Sequence, residues 1–287
     1  LVSLEKFNQR KLRFFNLSYR HQNIEKIGLS GKRSLMAFTI CFIPVFFGFI
    51  LPFCVLANLG YGSLDIWINT DLTSAIKNTV VVSGLAAFIT VLFGLLMVYG
   101  IRLSGRSLPQ VIFPLTTIGY AAPGAVLGIG ILVPLGIIDN WVADRVLDLT
   151  GYDPGLVFTG TAFAIILAYC VRFFSIAQHT VDGAFGRISP SLPNAAQSLG
   201  RNKLQVLLQI YRPLISTSTA TALLLIFVDC VKELPATMLL RPFNFETLAT
   251  RVHVQASLED LPNAAPGSIL IVLISLCAVF LLARANK

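Results

Sequence analysis

The sequence predicts an all-α polytopic membrane protein with six transmembrane helices, and three observations carry that prediction. Of the 287 residues, 55% are hydrophobic and 13% are charged, with a mean hydropathy of +0.76, whereas soluble domains carry roughly 25% charged residues. Six apolar runs are long enough to cross a hydrocarbon core of roughly 30 Å, which takes about 20 helical residues. No alternating barrel pattern is present, and helices are the other way to pair every backbone group in lipid.

The six predicted spans follow one another along residues 35–287, which we expect to form one six-helix domain. Their bounds are about 35–58, 78–101, 109–137, 156–176, 214–234 and 267–283. The preceding residues, 1–34, are predicted to be a basic cytoplasmic tail. The chain starts with Leu1 instead of Met, and together with the tail this favours a fragment or the second half of a longer polypeptide.

Basic residues concentrate on alternate connections between the spans. The tail, the connections 102–107 and 172–213 (Arg172 counted in the second) and the C-terminus hold 17 of the 22 Lys and Arg residues. The positive-inside rule then places both termini in the cytoplasm. The positive charge is therefore interpreted as a topology signal, and no nucleic-acid partner is expected.

The third predicted span is irregular because it contains Pro114, Pro123 and Pro134. An internal proline removes a backbone hydrogen bond and kinks or breaks a helix. Gly124 and Gly128 form a small-xxx-small pair, which lets another helix approach closely. Two interpretations stay open at this stage: simple packing, or an interrupted helix that lines a solvated path.

The fifth predicted span ends in a group of charged residues. Spacings of three and four place Asp229, Lys232 and Glu233 on one helical face. Ionisable residues in lipid usually face a bundle interior or an aqueous cavity; local ion pairing at a helix end that Pro235 terminates is the alternative. The candidates for the outer pathway or gate are Asp229, Lys232, Glu233, Pro123 and Gly124.

Catalytic and metal sites are not expected in this chain. No Ser/His/Asp, Cys/His or paired-carboxylate set converges on one predicted face of the membrane. His21 and His179 are predicted on the cytoplasmic side and His253 outside, without metal-ligand spacing. The segment 31–34 lacks the earlier glycine of a phosphate-binding loop. We therefore expect no cofactor on this chain, and any ATP would be used by another one.

The polar segment 188–213, ISPSLPNAAQSLGRNKLQVLLQIYRP, separates two apolar runs. Ser191 is predicted to cap a short helix, and Gly200 suits the left-handed position that ends one. A second, amphipathic helix is expected from Lys203 to Ile210, before Pro213 opens the next span. The paired alanines expose a nearly bare backbone, which indicates a docking element; a helix lying on lipid headgroups would give a similar pattern.

At these residues the sequence resembles the inner-membrane permease subunits of binding-protein-dependent ABC importers. Their loop has the pattern EAA, three residues, G, nine residues, I, one residue, LP. Two positions depart from it, because Asn194 replaces the glutamate and Arg212 replaces the leucine. The resemblance implies that the loop docks on an ATPase subunit that uses ATP and Mg. The residues at the pattern's spacing are Asn194, Ala195, Ala196, Gly200, Ile210 and Pro213.

The resemblance covers most of residues 75–285, and VDCVKELPATMLLRPFNFETLATRV is most similar to ferric-iron importer permeases, in which two halves are often fused. It implies a type I importer fold, a bacterial inner-membrane location and a transport role without enzyme activity. The implied partners are ATPase subunits, a periplasmic binding protein, a second permease half and the lipid bilayer. Alternative substrates are thiamine, a polyamine or an oxyanion. An ion-coupled secondary transporter would show inverted repeats, and none is convincing; a membrane-embedded enzyme is disfavoured by the missing catalytic set.

Overall fold

A computed structural model describes residues 28–61, 64–67, 69–104 and 108–285. All regular secondary structure within these ranges is helical, and six of their helices are long and apolar enough to cross a membrane. The prediction of an all-α protein with six transmembrane helices is therefore confirmed. Most of the predicted tail, residues 1–27, lies outside the described residues. The six helices are Lys32–Tyr61, Thr70–Arg102, Gly124–Thr150, Phe163–Gly186, Lys203–Val231 and Leu261–Arg284.

The chain divides into two units, and the first comprises Leu1–Ile50. Its described part contains helix α1 (Lys32–Val45) and a π-helical turn, Phe46–Ile50. None of the side chains of α1 is buried. Exposed apolar side chains are stable where the surrounding medium is hydrocarbon, because lipid tails are as apolar as leucine.

The second unit comprises Leu51–Lys287 and contains the remaining described helices. Between α9 and α10 the chain forms a second π-helical turn, Leu207–Tyr211. The helices are α2 (Leu51–Tyr61), α3 (Leu64–Trp67), α4 (Thr70–Ser104), α5 (Leu108–Ala121), α6 (Gly124–Thr150), α7 (Phe163–Gly186), α8 (Ser191–Ser198), α9 (Lys203–Val206), α10 (Arg212–Val231), α11 (Pro235–Leu240), α12 (Leu248–Ser257) and α13 (Leu261–Ala285).

Helix α7 lies at the centre of this unit and packs against α4, α5, α6 and α10. Its contacts depend on small residues: Ala164, Ala168 and Ala177 are completely buried. A Cβ on Gly94 of α4 would lie 2.9 Å from the Cβ of Ala177, so the two helices touch closely there. In lipid, close van der Waals packing of small residues takes over the role that hydrophobic burial has in water.

Two opposite ends of the bundle can be defined from α4. Near its C-terminus, Tyr99 meets Phe185 of α7, so α8, which follows α7, belongs to that end. Nearer its N-terminus, the Thr79 hydroxyl accepts a hydrogen bond of 2.8 Å from the backbone N–H of Leu248 in α12. We name these the α8 end and the α12 end. The cytoplasmic placement of the α8 end stays a prediction.

Three predicted spans are wrong in ways that bear on the candidate site. The third span, 109–137, is two helices, because Pro123 interrupts it and α6 begins anew at Gly124. The fourth, 156–176, starts only at Phe163 and runs to Gly186, so Arg172 lies inside a helix and not in a connection. The fifth does not open near Pro213: helical structure is continuous over Lys203–Val231.

Candidate functional site

The segment that carries the docking motif forms a helix, a bend and a second helix, as predicted. Helix α8 begins at Ser191, but Pro190 occupies the cap position and no side chain caps the helix, so the expected Ser191 cap is wrong. Gly200 follows with a φ of 84°, the left-handed conformation predicted for it. The N–H of Arg201 then donates to the carbonyl of Ala196 (3.0 Å) and closes the bend.

The two motif alanines face different directions. Asn194 and Ala195 are exposed, whereas Ala196 is only 8% exposed. Ala196 shares the inner side of α8 with buried Pro193, three residues earlier, because that spacing returns to the same helical face. The expectation that both alanines present an open surface is therefore wrong for Ala196.

Two exposed leucines lie on α8 and at its end, and the sequence analysis missed them. Leu192 in α8 is 49% exposed and Leu199 at its end is 84% exposed. A leucine beside the glycine of a bend is the signal that would have identified the second of them. We call Leu192, Asn194, Ala195 and Leu199 the docking surface.

The second helix starts with a cap that the sequence analysis also missed. The Asn202 side chain accepts from the N–H of Gln205 (2.8 Å), and the Gln205 side chain accepts from the N–H of Asn202 (3.0 Å). This reciprocal pair is a capping box, whose signal is the spacing of the two residues.

Ile210 and Pro213 lie in and after the π-helical turn. Ile210 is half-buried, and Pro213 is exposed in the first turn of α10. A proline inside an α-helix clashes with the carbonyl four residues earlier. In the turn before it, the N–H of Arg212 bonds to the carbonyl of Leu207, five residues back. This wider spacing explains how the helix continues through Pro213 instead of starting there.

An aromatic cluster joins the docking segment to two helices, α4 and α7. The Tyr99 hydroxyl of α4 donates to the backbone carbonyl of Lys203. The Tyr99 ring lies 6.3 Å from the Phe185 ring and 5.8 Å from the Tyr211 ring, and the latter two are 4.7 Å apart. Beside them, Arg102 and Asp182 form an ion pair of 2.8 Å. The start of the second helix is thereby held to both α4 and α7.

The helix break at Pro123 is held by a buried ion pair. Arg172 Nε lies 3.2 Å from Glu233 Oε2, and the two side chains are 20% and 7% exposed. Arg172 Nη1 also donates to the carbonyl of Ala122 (3.3 Å), which has no partner within a helix at the break. The N–H of Ala236 donates to Glu233 Oε1 (3.4 Å). One pair thus connects α7, the break between α5 and α6, and the start of α11.

This ion pair lies at membrane depth. Arg172 is nine residues from Phe163, the start of a helix of 24 residues. At 1.5 Å per residue, that is about 14 Å along a helix about 36 Å long. Ionisable residues at such depth pair with one another or with backbone carbonyls and mark functional sites. The sequence analysis missed Arg172 because it was counted with a cytoplasmic connection.

The small-xxx-small pair packs against α11, within the same chain. A Cβ on Gly124 would lie 2.7 Å from Arg172 Nη1 and 2.7 Å from Glu233 Oε1. A Cβ on Gly128 would lie 3.0 Å from Leu239 Cδ1. The lack of a side chain at Gly124 therefore leaves space for the ion pair, and the lack of one at Gly128 leaves space for α11.

The predicted charged face of the fifth span is only partly formed. Asp229 and Lys232 pair with each other at 2.8 Å, and the Lys232 side chain is 62% exposed. Helix α10 ends at Val231, so helical spacing no longer applies to Lys232 and Glu233. The structure brings Glu233, Gly124 and the backbone beside Pro123 together around Arg172. The expectation that all three charges share one face is wrong.

Asp139 is a fully buried acid in α6, two residues beyond the end of the predicted third span. Its carboxylate accepts from the backbone N–H groups of Val157, Phe158 and Thr159 (2.7–3.0 Å) and from the Thr159 hydroxyl (2.6 Å). These bonds fix the turn that leads into α7. Its role is structural, since it sets where α7 begins.

The α12 end carries a polar cavity of about 690 Å³ between the start of α4, α12 and the loop before it. Arg251, almost completely buried, reaches Glu246 at 3.5 Å, and Arg241 reaches the same carboxylate at 3.7 Å. In that loop the Phe243 side chain is fully exposed. In the part of the chain that the structure describes, no group of three or more His, Cys, Asp or Glu could hold a metal ion.

Six helices of membrane-spanning length, an exposed short helix at one end and a buried ion pair at a helix break are features expected of a membrane transport component. Residues 90–287 match the family described as binding-protein-dependent transport system inner membrane component. The chain belongs to this family of ABC importer permeases and is a multi-pass inner-membrane protein.

Curated relatives include proteins for different solutes. The Fe(3+)-transport system permease protein FbpB 2 of Haemophilus influenzae is 30% identical over 215 residues, 75% of this chain and 39% of that protein. The ferric transport system permease protein FbpB of Actinobacillus pleuropneumoniae is 24% identical over 262 residues, 83% and 36%. The sulfate transport system permease protein CysT of Salmonella typhimurium is 24% identical over 222 residues, 75% and 77%. The chain thus spans less than half the length of the ferric relatives.

The fold is found in a solved transporter. The crystal structure of a bacterial alginate ABC transporter, in complex with an alginate pentasaccharide-bound periplasmic protein, contains a chain that matches with a TM-score of 0.62 and 17% identity. The match covers 88% of this chain and 95% of that one. The expected permease fold is therefore confirmed.

Proposed function

We propose that this chain is one membrane-spanning half of an ATP-driven importer, which passes a solute from a periplasmic binding protein to the cytoplasm. The observation that carries the proposal is the position of the docking segment within the chain. It connects the end of α7 to the start of the helix Lys203–Val231. Arg172 thus lies on one of the two helices that meet at the docking surface, and Glu233 follows the end of the other.

This arrangement supports a mechanism. An ATPase subunit that holds α8 and closes on ATP and Mg moves α7 and α10 relative to the rest of the bundle. Such a movement shifts Arg172 and Glu233 relative to α5 and α6, and changes the hold on the break at Pro123. ATP shifts the bundle between outward-open and inward-open states only as far as the ATPase binds one state better than the other. In this mechanism 188–213 is the coupling loop, within a transport core of about residues 75–285.

The proposed orientation follows from the charges. The α8 end is cytoplasmic by the positive-inside rule, which puts both termini inside. The periplasmic binding protein then meets the α12 end, with its polar cavity and the exposed Phe243. A second permease half, fused or separate, completes the path, and the lipid bilayer surrounds both.

We propose ferric iron as the substrate, because two ferric permeases are among the relatives. An oxyanion is the second candidate, favoured by the sulfate permease, of which the match covers 77%. The test is uptake of labelled iron and labelled sulfate into vesicles that contain the whole transporter. Uptake of sulfate but not iron would replace the first candidate by the second.

The docking role has its own test. Leu199→Asp places a charge on the docking surface, whereas Leu258→Asp changes a leucine that is 70% exposed at the α12 end. We expect the first variant to lose co-purification with the ATPase subunit and the second to keep it. Equal retention of the ATPase by both variants would contradict docking at α8.

A further inference from the structure

The docking segment carries positive charge without any compensating acid. From Gly183 to Val228 the sequence contains no Asp or Glu. Arg187, Arg201, Lys203 and Arg212 are all exposed, and within the described residues none of the four forms an ion pair. Helix α8, SLPNAAQS, has no charged residue at all. The exposed, uncharged helix α8 is therefore flanked along the chain by four basic side chains that have no acidic partner among the described residues.

This anatomy is that of a protein interface. Leu199, 84% exposed at the end of α8, is a candidate anchor, and interfaces have an apolar core inside a polar rim. The segment is also rigid, because the bend at Gly200, the Asn202–Gln205 capping box and the Tyr99 hydroxyl fix its shape. A preformed element loses less entropy on binding than a mobile one.

A lipid surface is the competing partner for exposed basic residues. Helices that lie on anionic headgroups carry Lys and Arg on their own polar face. The polar face of α8 carries Ser191, Asn194 and Gln197 instead, and its charges flank the helix. The distribution of charge around an uncharged helix favours a protein cleft.

We propose that the ATPase cleft that receives α8 is apolar at its base and acidic at its rim, and that Asn194 stands where a glutamate would be repelled by that rim. This proposal rests on the proposed function, since it specifies the chemistry of the ATPase partner. Complementary charge speeds association, and like charge across an interface excludes the wrong partner. With an uncharged residue at position 194, the docking surface avoids repulsion by an acidic partner.

The test is binding of the purified ATPase subunit to the whole permease in nanodiscs of zwitterionic lipid, measured as association rate against salt concentration. Single rim charges are worth up to about 1 kcal/mol, and 1.4 kcal/mol is a factor of ten. We expect Asn194→Glu to weaken binding about twofold to fivefold. Arg201→Glu should slow association by a similar factor and flatten its salt dependence. The matched control is Arg145→Glu, the same charge change on an exposed residue of α6, which should change neither.

Each other outcome has a definite meaning. Tighter binding by Asn194→Glu, or association that does not depend on salt, would overturn the acidic cleft while leaving docking itself intact. An effect of Arg201→Glu that appears only in nanodiscs with anionic lipid would assign the basic rim to the membrane and overturn the proposal. Failure of the unmodified permease to bind the ATPase at any salt concentration would instead overturn the proposed function.

Discussion

Removing either partner of the Arg172–Glu233 ion pair should destabilise the bundle, and removing both should cost no more than removing one. The variants are Arg172→Gln, Glu233→Gln and the double substitution. At the observed 3.2 Å, Coulomb's law with an effective dielectric constant of about 20 gives about 5 kcal/mol. Desolvation of the two ions offsets part of this, so we expect a coupling energy of about 2–4 kcal/mol.

The assay is the apparent melting temperature of the purified permease. A loss of 1 kcal/mol lowers the melting temperature by about 2–4 °C for a domain of about 150–250 residues. Each single substitution leaves a buried charge unpaired and is expected to cost about 3 kcal/mol, which is about 6–12 °C. The double variant removes both charges and should melt no lower than the less stable single variant.

The control is a second ion pair in the same protein. Arg102 and Asp182 are 2.8 Å apart but are 35% and 42% exposed. Exposed pairs contribute about 0–1 kcal/mol, so the same cycle of substitutions there should shift melting by less than about 4 °C. Additive losses at Arg172 and Glu233, with the double variant melting lowest by the sum of both, would refute the reasoning that they act as one pair.

Two further substitutions test the packing of α7. Gly119→Ala should lower the melting temperature, because its Cβ would lie 2.3 Å from the backbone carbonyl oxygen of Val171; Gly130→Ala, with no atom within 4 Å, should raise it slightly by removing a helical glycine. A Gly119→Ala protein as stable as the Gly130→Ala protein would contradict the close approach of α5 to α7. Asp139→Ala should cost at least about 3 kcal/mol of stability, because it leaves three backbone N–H groups and a hydroxyl without their acceptor. The control, Asp148→Ala at an exposed position, should be close to neutral. Calorimetry in detergent measures both variants, and equal melting temperatures would show that the carboxylate does not hold the turn.

The number and type of helices could be predicted because they depend on composition and length alone. Any run of about 20 apolar residues must be helical in lipid. Gly200 was predictable for a similar local reason, since a left-handed residue at a helix end favours glycine. In each case the determining physics acts within a few neighbouring residues.

The ends of the helices were not predictable from hydropathy. Helix α7 begins at Phe163, seven residues later than expected, because Asp139 of another helix holds the preceding turn. The apolar pattern begins only at Pro213, but the helix already starts at Lys203, because a π-helical turn before the proline accommodates it. Both outcomes depend on hydrogen bonds that a hydropathy average does not contain.

The candidate site divides along the same line. The charged residues near the end of α10 could be recognised in the sequence, but tertiary structure decides their partners. Asp229 pairs with Lys232, and Glu233 pairs with Arg172, 61 positions earlier in the chain. Arg172 was overlooked because charge near a predicted boundary was assigned to topology. A charge count treats every arginine as equal, whereas burial separates the arginine that sets orientation from the one that holds a helix break.

The docking surface and the Arg172–Glu233 ion pair lie apart but are connected by the same stretch of chain, and this connection is the basis of the proposed mechanism. The docking surface buries few of its own atoms, so it depends for stability on the packing of Tyr99, Phe185 and Tyr211 behind it. In the proposed mechanism, a partner that moves α8 also moves the ends of α7 and α10. About 21 Å along α7, at 14 residues from Gly186, the same helix bears Arg172. In that mechanism a displacement at the docking surface reaches the helix break through α7 and α10, without any need for a continuous path of mobile side chains between them.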